Sequence, residues 1–162
     1  MIDITALEKK VLFNGIDWNS EKTHIFRINV EESYSSIKDS YEEILSEREL
    51  NKAHRFYHIS DRKSYLVRKY YLRMILSKLL SVTPNMLVFK QTGNKKPTVT
   101  GLEFNSSHSG IYAVIAVSPS SIGIDIEKVN DSFDFKSIVD CCYDEEEQLF
   151  VNSGNASSNF YF

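Results

Sequence analysis

The fold is decided by one long amphipathic stretch, residues 60–80, which reads SDRKSYLVRKYYLRMILSKLL. Its apolar side chains recur every three to four residues, as Leu66, Tyr70 and Met74 do, and this spacing predicts a helix with a wide buried stripe. Pro84 follows shortly afterwards, so we expect the helix to end near Leu80. A helix of this kind needs other elements to cover its apolar stripe, and the rest of the chain must supply them.

The residues before this helix predict one strand and two shorter helices. Isoleucine and valine favour a strand over residues 24–30, and apolar residues at helical spacing favour a helix over residues 31–45. Ser46, with Glu49 three residues later, has the pattern of a capping box. It therefore predicts the start of a further helix that runs through Phe56.

Beyond Pro84 the pattern changes to short segments of β character. Strands are predicted at residues 86–90, 103–107, 112–117 and 122–127, with a turn at residues 92–96 and short helical pieces at residues 134–139 and 145–150. Helices that come first and short strands that follow predict an α+β fold rather than a regular βαβ repeat.

Length and composition set limits on the class of protein. At 162 residues, 42% hydrophobic and 25% charged, the chain has a globular composition and fits one domain or two small ones. Its longest apolar run, residues 111–117, is far shorter than the ~20 residues of a membrane helix, so we expect a cytoplasmic protein without a membrane partner. Cys141 and Cys142 are adjacent, a spacing that would strain a disulfide, and we expect free thiols.

Charge is unevenly distributed although the net value is only −3. Residues 46–78 contain nine basic and three acidic side chains, whereas residues 125–147 contain nine acidic and two basic ones. One segment can bind an anion and the other a cation. The two segments can equally neutralise each other across solvated faces, and charge alone leaves both interpretations open.

A pair of carboxylates is the first candidate site. In residues 122–127, IGIDIE, apolar and polar residues alternate, so Asp125 and Glu127 share one face of the predicted strand, roughly 6.6 Å apart. Oxygen ligands without histidine or cysteine favour Mg²⁺ or Mn²⁺ over Zn²⁺. The alternative interpretation is an amphipathic strand whose acids are solvated.

A polar block forms the second candidate site. Residues 104–110, FNSSHSG, place hydroxyls, an amide and an imidazole after a predicted strand, where they can point at one ligand. A cationic His108 suits a phosphate. An ordinary turn rich in asparagine and serine is the alternative.

A basic stripe on the long helix is the third candidate site. Arg62, Lys69 and Arg73 are spaced seven and four residues apart, which places them on one face. Such a face can bind a phosphate-rich ligand or RNA, or it can simply be solvated.

The order of these blocks along the chain resembles the 4′-phosphopantetheinyl transferases of the surfactin-synthetase-activating (Sfp) type. The matching blocks are HIFRI at residues 24–28, LS at 45–46 continuing to RF at 55–56, Asp61 followed by Arg68, Leu72 and Arg73, KP at 96–97, FNSSHS at 104–109 and GIDIE at 123–127. The last two blocks are the specific signature of that family. The resemblance covers about residues 24–150.

The resemblance implies a fold and a reaction. The fold would be α+β and phosphopantetheinyl-transferase-like, with helices packed on a small, mostly antiparallel sheet. Two pseudo-two-fold halves would cover residues 1–101 and 102–162, the second incomplete. The reaction would move the phosphopantetheine arm of coenzyme A to a serine of an apo acyl or peptidyl carrier protein and release 3′,5′-ADP. It would depend on Mg²⁺ and involve neither nucleic acid nor membrane.

The resemblance also implies roles for individual residues. Asp125 and Glu127 would be the metal ligands and catalytic residues. The residues expected to contact coenzyme A are Ser107 and His108 at its phosphates, Lys96 and Pro97 beside adenine and ribose, and Lys52 and Arg73 at the 3′-phosphate. The sequence departs from the family at Lys95, where a glycine is expected. It departs again at Glu49 and Tyr65, where some relatives have a lysine and a small hydroxyl residue.

One family segment is expected beyond the last residue of this sequence. The family continues into W-x-x-K-E, whose glutamate completes the metal site or acts as a base, and the run Glu145–Glu147 is not a substitute for it. We therefore expect a shortened chain that is poorly active by itself, since losing a catalytic acid or base costs about 10²–10⁴-fold. The alternatives are a protein that binds coenzyme A or a carrier protein without transfer, and an RNA-binding α+β domain, which the net charge disfavours.

Overall fold

A computed structural model describes residues 2–4, 17–90, 96–130, 132 and 134–153. The chain divides into two compact units, Met1–Ile126 and Glu127–Phe162. The first contains β1 (Ile2–Ile4), β2 (His24–Asn29), α1 (Val30–Ile37), α2 (Tyr41–Ile44), α3 (Glu47–Ala53), α4 (Ile59–Leu80), a 3₁₀ turn (Pro84–Met86), β3 (Glu103–Ser109) and β4 (Tyr112–Ser118). The second contains α5 (Lys136–Cys142) and α6 (Glu145–Asn152). The two halves predicted from the sequence, which meet between residues 101 and 102, are a different division and stay a prediction.

The sheet has four strands in the order β1-β2-β4-β3. β4 pairs antiparallel with both β2 and β3, while β1 runs parallel to β2. The α+β class with a small, mostly antiparallel sheet is therefore confirmed. β1 has no counterpart among the strands that the sequence predicted. Among the described strands β3 has one neighbour, so it lies at an edge of the sheet.

The long helix α4 covers one face of this sheet, as the residue 60–80 pattern predicts. Its side chains Tyr71 and Ile75 belong to the same buried cluster as Phe26 of β2 and Ile115 of β4. Ile75 and Ile115 are fully buried, and each such side chain contributes about 1.5–3 kcal/mol of hydrophobic stabilisation. α4 ends where Ser81 takes the left-handed conformation with φ 54°, which is a common way to end a helix.

The helices before α4 agree with the prediction in kind and differ in extent. The capping box at Ser46 and Glu49 is present and begins α3, which ends at Ala53 rather than at Phe56. Residues 31–45 form two helices instead of one. The break occurs where the amide and hydroxyl of Ser40 both donate to the Ile37 carbonyl, a local bond that competes with continued helix.

Two predicted strands are not strands in the structure. Residues 86–90 form part of the 3₁₀ turn and an irregular segment. Among the described residues, Lys90 alone in this segment forms a β-bridge, and its partner is Thr98. The carbonyls of Pro84 and Leu87 there accept hydrogen bonds from Arg73 rather than from another strand. The predicted turn at residues 92–96 lies outside the described residues except for Lys96.

Residues 122–127 are the second predicted strand that does not form. No described strand pairs with this segment, so it lacks the backbone ladder of a sheet. The predicted alternation is nevertheless present in the burial of its side chains. Ile122, Ile124 and Ile126 are half-buried, whereas Gly123, Asp125 and Glu127 are exposed.

The second unit consists of the two short helices. α6 begins with a capping box in which Asp144 and Glu147 exchange hydrogen bonds, and Gln148 donates to the Tyr143 carbonyl at 2.9 Å. The helices predicted at residues 134–139 and 145–150 are confirmed, with shifted ends. Both cysteines are free and exposed, as expected. Of the helices in the described part of the chain, none has the length and apolar character that crossing a membrane requires.

Candidate functional site

A basic cleft lies in the first unit beside α3 and α4. Its volume is about 1290 Å³, and residues 87–89, Pro97 and Ser106 complete its wall. The charged residues that line it are Arg48, Lys52, Arg55, Arg68, Lys69 and Arg73, against Glu47 and Glu49. The cleft therefore carries a surplus of positive charge, and it brings together residues from both ends of the basic segment 46–78. An anionic ligand is the kind that such a surface attracts.

Arg73 is the most buried of these basic residues, with a side chain 4% exposed. Its Nε donates to Glu49 Oε2 at 2.9 Å, and its Nη1 donates to the carbonyls of Pro84 and Leu87 at 2.8 and 3.0 Å. The guanidinium also lies 5.1 Å from the ring centroid of Phe89. Arg73 thus joins α4 to α3 and to the segment after the 3₁₀ turn. Its predicted contact with a phosphate stays a prediction, and these bonds give it a structural role.

Glu49 is the acid in the wall of the cleft that is held most firmly. Its Oε2 accepts hydrogen bonds from Arg73, from the Ser46 amide at 2.9 Å and from the Ser46 hydroxyl at 2.7 Å. A buried carboxylate requires such compensation, because its transfer out of water is costly. The acid that departs from the family pattern therefore has its charge balanced within the protein.

Two lysines of the cleft lie against one aromatic ring. Lys52 Nζ is 5.5 Å and Lys69 Nζ is 5.9 Å from the ring centroid of Tyr65. Lys69 is also 5.8 Å from the ring of Phe89. Such distances are within the range of cation–π attraction. The Tyr65 ring is buried, and burial raises the pKa of its hydroxyl to about 12.

Burial also perturbs the basic groups next to this ring. Desolvation lowers the pKa of Lys69, and the neighbouring cations of Arg68, Lys52 and Arg73 lower it further, while Glu49 acts in the opposite direction. Burial likewise lowers the pKa of Arg68, whose Nε donates to the Ser64 carbonyl at 3.3 Å. The cleft therefore holds like charges close together in a partly desolvated place.

The polar block at residues 104–110 lies in β3 and in the hairpin after it, rather than beyond the end of a strand. Gly110, with φ 57°, occupies the first position of the two-residue turn to β4, where a positive φ favours glycine. Because side chains alternate along a strand, Ser106 and His108 share the helix-covered face with Phe104, and Ser107 lies on the opposite face. The side chains of this block thus alternate between the two faces of β3, and the expected contact of Ser107 and His108 with one ligand stays a prediction.

Ser107 contacts the predicted metal ligand Asp125. Its hydroxyl donates to Asp125 Oδ1, and this bond, followed by the Ile126 amide, holds the pKa of the exposed Asp125 carboxyl below its usual 3.8. Among the described strands β3 lies at an edge of the sheet, so this contact places Asp125 beside that edge.

The remaining predicted residues lie at the border of this region. Lys96 is exposed and its Nζ donates to the Ile122 carbonyl at 3.3 Å, which ties the chain before Pro97 to the segment that leads to Asp125. Glu127 is the first residue of the second unit, where its Oε1 accepts a hydrogen bond from the Lys128 amide at 3.0 Å.

The donor set restricts what metal chemistry is possible. Among the described residues no three histidine, cysteine or acidic side chains come close enough to enclose a metal ion. Asp125 supplies an ionised, exposed oxygen donor. Mg²⁺ suits such a place, because it is usually bound by one or two carboxylates together with substrate phosphates and water.

The aromatic wall of the cleft has no counterpart among the residues that the sequence singled out. Tyr65, which belongs to the buried core cluster, and Phe89, which packs against that cluster, lie against lysines in the cleft. The basic stripe of Arg62, Lys69 and Arg73 is not one exposed face, since Arg73 is buried and Arg62 is not in the wall of the cleft. The alternation of acids in residues 122–127 was a usable signal and located Asp125 correctly on the exposed side.

Comparison with known proteins adds independent information. Residues 33–120 match the family described as 4′-phosphopantetheinyl transferase, N-terminal. The 4′-phosphopantetheinyl transferase HetI of Nostoc sp. is 33% identical over 126 residues, which cover 74% of this chain and 53% of that protein. The 4′-phosphopantetheinyl transferase Sfp of Bacillus subtilis is 32% identical over 87 residues, or 52% of this chain and 39% of its own length.

A vertebrate relative is also similar to this chain. It is the L-aminoadipate-semialdehyde dehydrogenase-phosphopantetheinyl transferase of Xenopus laevis, 30% identical over 79 residues, which cover 43% of this chain and 26% of that protein. The chain thus spans about half the length of HetI and a smaller part of the other two relatives.

Proposed function

The chain belongs to the 4′-phosphopantetheinyl transferase family, and on that premise we propose that it acts in the transfer of phosphopantetheine from coenzyme A to a serine of an apo carrier protein. The products are the holo carrier protein, of the acyl or peptidyl type, and 3′,5′-ADP. The observation that carries the proposal is the basic cleft, since coenzyme A is a polyanion with a phosphate monoester and a pyrophosphate.

In the proposed reaction the cleft binds the nucleotide part of coenzyme A. Lys52 and the other bases of the wall neutralise phosphate charge, and Pro97 offers an apolar surface to adenine or ribose. Lys96 holds the neighbouring segment through the Ile122 carbonyl. Ser106 in the wall belongs to β3, so the ligand extends toward the strand that also presents Ser107 and His108.

Asp125, with Glu127 two residues later in the chain, is proposed to hold Mg²⁺ at the pyrophosphate. The bound ion would neutralise charge on the departing 3′,5′-ADP. The residues fit such an ion, because Asp125 is an ionised oxygen donor and the substrate supplies further oxygens. Ser107 engages Oδ1 of this exposed carboxylate.

The transfer is tested by incubating the protein with coenzyme A, Mg²⁺ and an apo carrier protein and measuring the mass of the carrier. We expect a gain of one phosphopantetheine group that requires coenzyme A and Mg²⁺. If the protein binds coenzyme A and the carrier gains no mass at high protein concentration, the catalytic proposal is wrong for this chain and the binding-only alternative holds.

The metal assignment has its own test in the variant Asp125→Ala. We expect the variant to lose the Mg²⁺-dependent part of its affinity for coenzyme A, because the cation loses its protein ligand. Titration calorimetry with and without Mg²⁺ measures this difference. Asp17→Ala is the control, since Asp17 is an exposed acid that pairs with Lys22 and does not line the cleft. Equal Mg²⁺ dependence in Asp125→Ala and the wild type would contradict the assignment.

A further inference from the structure

We infer that the adjacent thiols of Cys141 and Cys142 form a chelating site for trivalent arsenic, in which one arsenic atom binds both sulfurs while α5 stays folded. The two cysteines are free and exposed, and they are the last two residues of α5. They lie in the second unit and have no role in the proposed transfer. The inference therefore goes beyond that function and does not rest on it.

The distance between the two sulfurs is the first argument. Neighbouring residues on a helix point about 100° apart and do not normally face each other. The Cys142 thiol nevertheless donates to Cys141 Sγ at 3.6 Å. A single atom that binds both sulfurs at about 2.3 Å, with about 90–110° between its bonds, requires sulfurs about 3.3–3.8 Å apart. The pair is thus already at the spacing that one bridging atom needs.

A direct disulfide does not fit the same geometry. Its sulfurs would have to approach to about 2.05 Å, and the Cα atoms of most disulfides lie about 4.4–6.8 Å apart. Adjacent Cα atoms are separated by only about 3.8 Å. Closing the bond would pull Cys141 and Cys142 out of helical geometry, next to the hydrogen bond from the Tyr143 amide to the Val139 carbonyl at 3.2 Å. A bridging atom leaves this end of α5 as it is.

The number of available ligands selects the kind of centre. Within the described part of the chain, no third histidine, cysteine or acidic side chain comes close enough to complete a metal site. Structural zinc takes four protein ligands, so at this pair it would keep two positions for water. Soft Cu(I) with two opposite thiolates would need sulfurs about 4–4.6 Å apart. Trivalent arsenic forms three bonds in a pyramid, and two neighbouring thiols with one further group satisfy it.

The protons of the pair also favour a neutral arsenical over a divalent cation. The hydrogen bond with Cys141, followed by the charge of that thiol, raises the pKa of Cys142. Both residues end α5, where the helix dipole disfavours negative charge. A divalent cation must displace both protons and hold two thiolates together. An arsenical binds the two thiols with loss of water, so no thiolate pair has to form first.

Phenylarsine oxide is the probe, and its reaction with the pair balances without an oxidant or reductant. The two S–H bonds and the arsenic–oxygen double bond break, and two arsenic–sulfur bonds form. The oxygen leaves with both protons as water. Arsenic keeps its phenyl group and stays trivalent, and both sulfurs keep their oxidation state.

The test is the intact mass of the full chain after treatment with phenylarsine oxide in excess 2-mercaptoethanol. We expect one phenylarsenic group per chain, which the dithiol 2,3-dimercaptopropanol removes. Cys141→Ser and Cys142→Ser should each bind it about 100-fold more weakly or worse, because the second bond no longer forms within the same molecule. The double variant Cys142→Ser/Ser153→Cys is the matched control, since it keeps two thiols at exposed positions that are not adjacent.

Two further measurements test the folded geometry and the choice of arsenic. Far-UV circular dichroism should show the same helix content before and after arsenic binds. In urea the affinity should fall about 10-fold, because the two cysteine side chains must then be ordered on binding. Zinc offered together with the indicator 4-(2-pyridylazo)resorcinol should stay with the indicator.

Each outcome supports or overturns the inference. A wild type that gains no phenylarsenic group, or a separated-thiol control that retains the group as firmly, would show that the adjacent pair is not a chelating site. A loss of helix content on binding, or an affinity that urea leaves unchanged, would show that the folded arrangement does not matter. Zinc taken from the indicator would overturn the selection of trivalent arsenic. Circular dichroism of the serine variants establishes that they are folded.

Discussion

Replacing Arg73 by methionine tests whether this residue supports the cleft or binds ligand. The change keeps the aliphatic stem and removes a guanidinium whose side chain is 4% exposed, next to a Glu49 side chain that is 10% exposed. Glu49 would then remain buried without its cation, and the Pro84 and Leu87 carbonyls would lose their donor. Removal of one partner of a buried ion pair costs about 3–5 kcal/mol.

The assay is urea unfolding followed by circular dichroism, in the absence of any ligand. We expect Arg73→Met to lower the free energy of unfolding by about 3–5 kcal/mol. In a protein of about this size that corresponds to a melting temperature lower by about 6–20 °C. The double variant Glu49→Gln/Arg73→Met should recover part of the loss, because it removes the unpaired charge as well.

The opposite result would show that Arg73 does not support the cleft. If Arg73 were a phosphate ligand that pointed freely into the cleft, its removal would reduce repulsion among like charges and leave the unliganded protein as stable as before or more stable. A loss of less than about 1 kcal/mol, similar to that of an exposed ion pair, would mean that the pair is solvated. Lys22→Met, which breaks the exposed pair with Asp17, gives the reference value for such a pair.

Two further predictions concern hydrogen bonds. Ser107→Ala should raise the pKa of the Asp125 carboxyl toward 3.8, because the bond that favours its ionised form is lost. Carbon-detected NMR titration would measure this pKa, and an unchanged value would contradict the contact. The bond stabilises the folded protein at pH values above the pKa that Asp125 has in the unfolded chain. This contribution disappears as the pH falls through the pKa of Asp125 in the folded protein. Ser46→Ala removes the side-chain cap of α3 and should lower the free energy of unfolding by about 0.5–2 kcal/mol, measured by urea unfolding. The control is Ser60→Ala in α4, a helix that has no capping side chain. An equal loss in the two variants would show that the α3 cap is unimportant.

Elements with a strong local signal were predictable from the sequence. The residue 60–80 helix and the capping box at Ser46 and Glu49 follow from apolar period and cap chemistry, both of which act within a few residues. The strands at residues 103–107 and 112–117 were found for the same reason, although β3 extends further, to Ser109. The parallel strand β1 was missed, because a three-residue strand carries little local signal.

The predicted strands at residues 86–90 and 122–127 failed because a strand needs a partner. At the first segment, the carbonyls of Leu87 and of the preceding Pro84 accept hydrogen bonds from the guanidinium of Arg73 in α4. No local pattern in the sequence reveals this contact. In the second, alternation predicted correctly which side chains are exposed, and yet no described strand pairs with the segment. Alternation thus reports burial, and only the tertiary structure supplies the hydrogen-bonding neighbour.

The α+β class, the basic segment, the paired acids and the family can be recognised without a structure, because they depend on residue period, composition and the order of motifs along the chain. The role of each basic residue is visible only in the folded protein. Arg73 and Lys69 are four residues apart on one helix, and the first is fixed by Glu49 and two carbonyls while the second lies against Tyr65 and Phe89 in the cleft. Helical spacing places both on one side, but the partners that fix a charge or leave it available come from distant parts of the chain.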